Sequence, residues 1–373
     1  MKTPAIRSLC VVAAVLPGVL CAAESAAPAA APVVPSLVNT LNAWGLTVNG
    51  YVASSYYASN GYPSNIHQFD IQHNTFQLDQ AGLLVAYQPK SGFGALVDVF
   101  AGEDARILNE AESGANDQSV FDVRQAFLQY AAGPLTIIGG KYVTLAGAEY
   151  INPTQNTNFS RSLLFTWCEP LTHTGVRATW ALSDSLTVIG GINNGWNVVS
   201  TSYGSKTGEV GFAWTPNKAF SFTTQAYLGK MQQYDGERVL IDVVATYNAT
   251  SALTLVLNVD WDQQQFPTGP SASWNGAALY VNYALSDAWR VSVRAEYLDD
   301  KDGFNFGGGG QTVKEGTVTL GYAPVKSFEL RLEGRYDKAQ QAFLYHSDPS
   351  FPSPELSDNL SQIALQGVYK FGT

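Results

Sequence analysis

Segments of about 10 to 15 residues in which apolar and polar side chains alternate recur along most of the chain. A period of two means a β-strand with unlike faces, because successive strand side chains point to opposite sides. Between residues 288 and 298, Trp289, Val291, Val293, Ala295 and Tyr297 alternate with Arg290, Ser292, Arg294 and Glu296. Phe328, Leu330, Leu332, Gly334 and Tyr336 likewise oppose Glu329, Arg331, Glu333, Arg335 and Asp337. The same holds for Leu253, Leu255, Leu257, Val259 and Trp261 against Thr254, Asn258, Asp260 and Asp262. Such strands build either a water-soluble sandwich with an apolar core or a membrane barrel with an apolar outside and a polar lumen.

Punctuation separates the two. Tight turns fall around Pro89, Gly133-Pro134, Ser183-Asp184, Pro216-Asn217, Thr250-Ser251, Ser286-Asp287 and Pro324-Val325. Longer polar stretches lie between them, near residues 59–74, 104–119, 143–172, 197–205, 231–237, 265–272, 301–310 and 339–358. Strict alternation of short and long connections predicts a transmembrane antiparallel β-barrel of about 16 strands with both ends on the tight-turn side. Aromatic residues near strand ends (Tyr56, Tyr57, Tyr130, Tyr142, Trp180, Trp196, Trp214, Trp289 and Tyr336) suit the two membrane interfaces. The last segment, Leu360 to Phe371, carries Ile363, Leu365, Gly367, Tyr369 and Phe371 on one face and can close a barrel on the first strand. Only 14% of the residues are charged, and mean hydropathy is near zero, as expected when two faces meet different solvents.

The chain begins with a basic stretch (Lys2, Arg7), an apolar run from Leu9 to Leu20, and Cys21-Ala22-Ala23. This predicts a cleaved signal peptide over residues 1–23. An Ala/Pro-rich linker then covers 24–43, and the barrel covers 44–373. Cleavage removes Cys10 and Cys21, so Cys168 has no partner for an internal disulfide. A net charge of −10 without a basic stripe argues against nucleic-acid binding.

Within Gly139–Gly195 the sequence resembles the β-barrel porin-2 family of Gram-negative bacteria. The matching pieces are Gly140-Lys141, Gly147-Ala148-Glu149, Asn158-Phe159-Ser160-Arg161-Ser162, Glu169-Pro170-Leu171-Thr172-His173-Thr174-Gly175-Val176-Arg177 and Asn193-Asn194-Gly195-Trp196, with Gly229-Lys230 further on. The resemblance implies an outer-membrane channel and names no solute. In general porins the third external loop folds into the lumen and narrows it, and the longest loop here, Thr144 to Thr172, is the third. By that analogy Glu149, Arg161 and Glu169 sit near a constriction. They face wall residues Arg124, Lys141, Arg177, Arg290, Arg294, Arg331 and Arg335, whose charges filter ions or instead hold the loop down. The arginine cluster suggests a local attraction for anions.

The acidic loop residues Asp104, Glu110, Glu112, Asp117, Asp299, Asp300 and Asp302 read as solvated surface. No HExxH, CxxC or GxSxG occurs, and no cofactor is expected. His67, Asp70 and His73 share one loop, where a weak metal site is conceivable, but no metal ligand is assigned. The favoured function is passive diffusion of small hydrophilic solutes or ions. A non-conducting surface barrel or adhesin is the alternative, and a barrel hydrolase is third. The implied partners are outer-membrane lipids, lipopolysaccharide and the barrel-assembly machinery. Homotrimer formation follows by analogy with general sixteen-stranded porins.

Overall fold

A computed structural model describes residues 41–372 apart from 42, 114–116, 203, 232–235, 308 and 348–353. The signal peptide and nearly all of the Ala/Pro-rich linker lie outside the described residues. The chain forms β1 (Leu46–Ser59), β2 (Thr75–Tyr87), β3 (Gly92–Ala101), β4 (Phe121–Ala132), β5 (Leu135–Val143), β6 (Thr172–Ala181), β7 (Leu186–Asn193) and β8 (Thr207–Asn217). It continues with β9 (Phe220–Met231), β10 (Gly236–Asn248), β11 (Leu253–Gln264), β12 (Ala272–Ala284), β13 (Trp289–Asp300), β14 (Gln311–Val325) and β15 (Phe328–Ala339). Two short strands, β16 (Leu344–Tyr345) and β17 (Leu356–Ser357), precede β18 (Asn359–Gly372).

β1–β15 and β18 close one antiparallel barrel of 16 strands, while β16 and β17 pair with each other in the last long loop. Closure leaves no open edge, the condition a spanning sheet must meet in lipid. Among the described residues no helix is long and apolar enough to cross a membrane.

The alternation maps onto the two barrel surfaces. On β13, Val293 and Tyr297 are exposed outward while Ser292, Arg294, Glu296 and Leu298 are buried inward. On β15, Leu330, Leu332 and Tyr336 point out and Arg331, Glu333, Arg335 and Asp337 point in. Tyr130, Trp180, Trp214 and Trp289 stand outward at the tight-turn end, as amphipathic rings at an interface should. Three of the expected interface aromatics are instead inside. Tyr57 accepts a hydrogen bond from the Gln72 backbone at 2.7 Å, Tyr142 donates to Asn193 at 2.5 Å, and Trp196 packs edge-on against Tyr227. Their position at strand ends gave no sign of which surface they face.

Two expected turns are shifted. Pro216 and Pro324 lie within β8 and β14, at register shifts between Trp214 and Asn217 and between Tyr322 and Val325. Proline cannot donate to a ladder and is tolerated at such bulges, so the reversal follows one step later. The seam joins β1 to β18 with Gly50 directly opposite Phe371. The Phe371 ring lies over Gly50 so closely that a Cβ there would come within 2.3 Å of it.

The loop side of the barrel is packed. Ile66, Leu163, Leu164, Cys168, Trp274, Leu298, Val313, Leu344 and Leu360 form one buried apolar cluster drawn from wall strands and three long loops. Several acidic loop residues are drawn in as well. Asp104 is buried in α1 (Glu103–Ser113), and Glu112 at that helix's end takes Lys141 at 2.6 Å. The Asp300 carboxylate, at the loop end of β13, accepts the backbone N–H groups of Phe304, Asn305 and Phe306 at 2.8–2.9 Å. These carboxylates organise loops, contrary to the expectation of solvated surface, whereas Glu110 and Asp302 are exposed.

Candidate lumen constriction

Residues 144–171 leave β5 and cross the barrel interior before returning to β6. The crossing segment is shaped by its own short-range chemistry. Asn152 accepts the Thr154 N–H at 2.9 Å and opens a single 3-10 turn with Pro153 at its first position. Ser162 caps α2 (Leu163–Trp167), accepting the Phe165 N–H at 2.9 Å. Arg161 donates to the carbonyls of Tyr150, Ile151 and Phe159 at 2.8–3.0 Å and clamps the loop to itself. Its guanidinium also lies over the rings of Phe69 and Phe165, at 5.4 and 5.8 Å.

The far wall holds the loop through β13–β15. Glu333 accepts the N–H groups of Phe159 and Ser160 at 2.7 and 2.9 Å. Asn158 donates to Thr319 at 2.6 Å, and Glu296 accepts the Leu163 N–H at 2.8 Å. Arg331 donates to the Pro153 carbonyl at 3.0 Å and Arg335 to the Arg161 carbonyl at 2.6 Å. Arg294 sits at the centre, within 2.8 Å of Glu149 and Glu296 and 3.2 Å of Glu315. It donates to the Ser160 carbonyl as well. Asn158-Phe159-Ser160-Arg161-Ser162 is thus an anchoring segment, each residue bonded to the wall or to the loop itself.

The ten residues singled out from the sequence divide by what they touch. Glu149 meets Arg294, and Arg331 and Arg335 reach the loop backbone, so four of them form one network with it. Arg290 joins its edge by sharing Glu329 with Arg331. Arg161 binds carbonyls of its own loop. Arg124 does not meet these groups. It sits where the β3–β4 register shifts, forks onto Asp98 at 2.7 and 2.9 Å, and donates to Tyr51 at 2.8 Å. Lys141 takes Glu112 and Asp122, and Arg177 takes Glu209 at 2.8 Å. Each of the seven wall cations therefore has a carboxylate partner, so the free cationic wall implied by the arginine count is not found.

Glu169 stands apart at the base of the loop. It is buried close to Asp242 and Asp260, and burial, followed by the charges of Asp242 and Glu149, pushes its pKa well above the usual carboxylate range. His67 is held between Asp70 at 2.7 Å and Asp337 at 3.0 Å, which leaves neither ring nitrogen for a metal shared with His73. His73 bonds to Ser59 and Asn74 instead. His173 faces the Gly195 carbonyl and stacks on Tyr227 at 4.8 Å.

On the opposite side the interior is open. A cavity of about 370 Å³ lies between residues 144–150 and the walls of β7–β11. Its wall residues are Ile189, Ala213, Ser221, Thr223, Gln225, Val244, Thr246 and Val256, without a charged group. A second cavity of about 160 Å³ adjoins Glu149, Gln155, Tyr280 and Asn282. Nothing in the sequence marked these positions as lining space.

No curated protein matches the chain in sequence. Solved outer-membrane barrels share its fold. OmpT of Vibrio cholerae superposes with a TM-score of 0.59 at 12% identity, over 87% of this chain and 97% of that one. The outer membrane channel DcaP of Acinetobacter baumannii gives 0.60 at 12%, with 87% and 97% covered. An anion-selective porin from Comamonas acidovorans gives 0.59 at 9%, with 87% and 99% covered. The sequence model of the family described as "Putative beta-barrel porin-2, OmpL-like" matches residues 45–371. With nearly the whole barrel matched, the chain belongs to this porin-2 family of outer-membrane proteins.

Proposed function

We propose that the protein is a porin-like channel for passive diffusion of small hydrophilic solutes or ions. The observation that carries this reading is the space of about 370 Å³, hydroxyl-bearing and uncharged on its strand wall, left under the third loop when its other flank is pinned to β13–β15. A barrel of 16 strands is wide enough to keep water in its lumen. Glu149 and its network with Arg294, Arg331 and Arg335 then act as positioning groups that fix the width of the passage, and Arg161 keeps the loop rigid. The channel reading assigns no catalysis. His173, the histidine closest to the loop base in sequence, bonds to a backbone carbonyl instead of a Ser or Asp.

The buried apolar cluster on the loop side favours a second reading, a non-conducting surface barrel. Planar-bilayer recording of the purified protein decides between them. Discrete conductance steps are expected, and a correctly folded barrel that gives none refutes the channel. Outer-membrane lipid, lipopolysaccharide and the assembly machinery are the partners proposed for folding and residence. A trimer is the assembly proposed, since a trimer form of Vibrio cholerae OmpT is known. Cross-linking in native membranes tests it.

A further inference from the structure

Three carboxylates converge where the returning end of the third loop meets the wall. Asp242 on β10 and Asp260 on β11 are direct cross-strand partners. Glu169 enters from the loop, and one oxygen of each residue lies within 4.8 Å of the other two. Asp242 and Asp260 are fully buried, and Glu169 is 7% exposed.

Their hydrogen bonds are incomplete. Asn258 donates to Asp242 Oδ2 at 2.8 Å and to Asp260 Oδ1 at 3.3 Å. Asp242 also takes the Gly147 N–H, and Asp260 lies within hydrogen-bonding reach of Glu169 and Asp242, which brings in another acid and no cation. No N–H group or neutral side chain among the described residues donates to either oxygen of Glu169 in good geometry. A buried carboxylate left in this way is costly. Elsewhere in the same lumen buried carboxylates are met by guanidinium groups, as Arg294 meets Glu149, Glu296 and Glu315. Glu169 has no cationic partner; it is the loop's own contribution, aimed into a wall that already carries two acids.

Two further features shape the spot. Gly147 lies against Glu169 so tightly that a Cβ would fall 1.9 Å from Oε2, and its φ of +85° favours glycine. Gly147 also lines the large cavity, so water reaches the edge of the cluster. Asn258 braces the arrangement from behind, since its Oδ1 accepts the Ala148 N–H at 2.9 Å.

We infer that Glu169, Asp242 and Asp260 bind one divalent cation, Ca²⁺ by preference, that clasps the base of the third loop to β10 and β11. The donors are all hard carboxylate oxygens, the set that Ca²⁺ takes at about 2.3–2.6 Å with water completing its shell. Two oxygens bound to one such ion stand at most about 5 Å apart, which matches the observed spread. Zinc is disfavoured because no nitrogen or sulfur is among the three ligands.

The test uses the full chain folded in detergent micelles, stripped with a chelator and titrated with CaCl₂ in a calorimeter, with bound metal counted by elemental analysis after dialysis. One Ca²⁺ per chain is expected. Glu169→Gln and Asp260→Asn should each weaken binding about 100-fold while retaining the barrel's circular dichroism. Asp302→Asn, at an exposed acid, should leave it unchanged. Chelation of the wild type should also speed proteolysis within residues 144–171 about tenfold. Absence of stoichiometric Ca²⁺ in the wild type overturns the inference, as does wild-type affinity in Glu169→Gln. Should the variants fail to fold, the metal count and the chelator effect on the wild type still decide it. Neither depends on whether the barrel conducts, so this claim and the channel claim fail separately.

Discussion

The two sides of the lumen are built on opposite rules. The face made by β13–β15 is dense with buried ions, each matched to a partner or to loop backbone. The face made by β7–β11 surrounds open space with hydroxyls, an amide and small apolar groups, and keeps its buried acids, Asp242 and Asp260, at the base of the loop. Net charge is no guide to this division, because the charged face presents little free charge. Where charges face charges they make a joint. Where neutral residues face nothing they leave a passage. In this barrel, then, the arginines mark what is fixed.

The largest way to break the contrast is at its centre. Arg294→Ala leaves Glu149, Glu296 and Glu315 buried without their shared cation. Removing one member of such a buried set costs about 3–5 kcal/mol. Urea unfolding in lipid vesicles should show that loss, together with noisier and larger conductance as the loop comes free. Unchanged stability would mean that the network is dispensable.

A pH effect of intermediate size is expected at the first loop, near residues 60–74. Burial and Arg335 work against the His67 imidazolium, but Asp70 and Asp337 outweigh them and its pKa is raised. The folded chain therefore binds this proton more tightly than the unfolded one. The stabilisation is complete below about pH 6.5 and is lost as pH rises through the folded value. Hydrogen exchange in the first loop should quicken with pH beyond the intrinsic base catalysis, and His67→Gln should abolish that excess.

The smallest stability effect belongs to the open face. Thr223→Trp places a large ring into the cavity, where space exists, and should alter stability by less than about 1 kcal/mol. Conductance should nevertheless fall to about half or less, since lumen-facing groups set the passage. A normal conductance would move the path away from β9.

The division between legible and hidden follows sequence distance. The barrel is readable because alternation and turns are local: Val293 and Arg294 declare their faces within one strand. The shifts at Pro216 and Pro324 escaped because a bulge and a turn draw on the same residues. The joint was half visible. The polar faces of β13 and β15 and the segment around Arg161 stood out, whereas the pairing of Ser160 with Glu333 spans 173 positions and no pattern announces it. Asp260 stood out only as one acid on the polar face of its strand. The meeting of Asp242 and Asp260 with Glu169 needs the register of β10 and β11 and the path of the loop at once.

The seat of Phe371 on Gly50 bears on timing. Nearly every strand pair joins neighbours along the chain and can form as a hairpin as soon as both halves exist. The seam must wait for the final strand to find the first one, across the span of the whole barrel. The entropy of so long a closure grows only slowly with length, but the search itself is slow, so the seam sets the pace of assembly. A side chain at position 50 would hinder that last encounter while leaving every earlier hairpin intact, and would trap an open, curled sheet instead of a misfolded one.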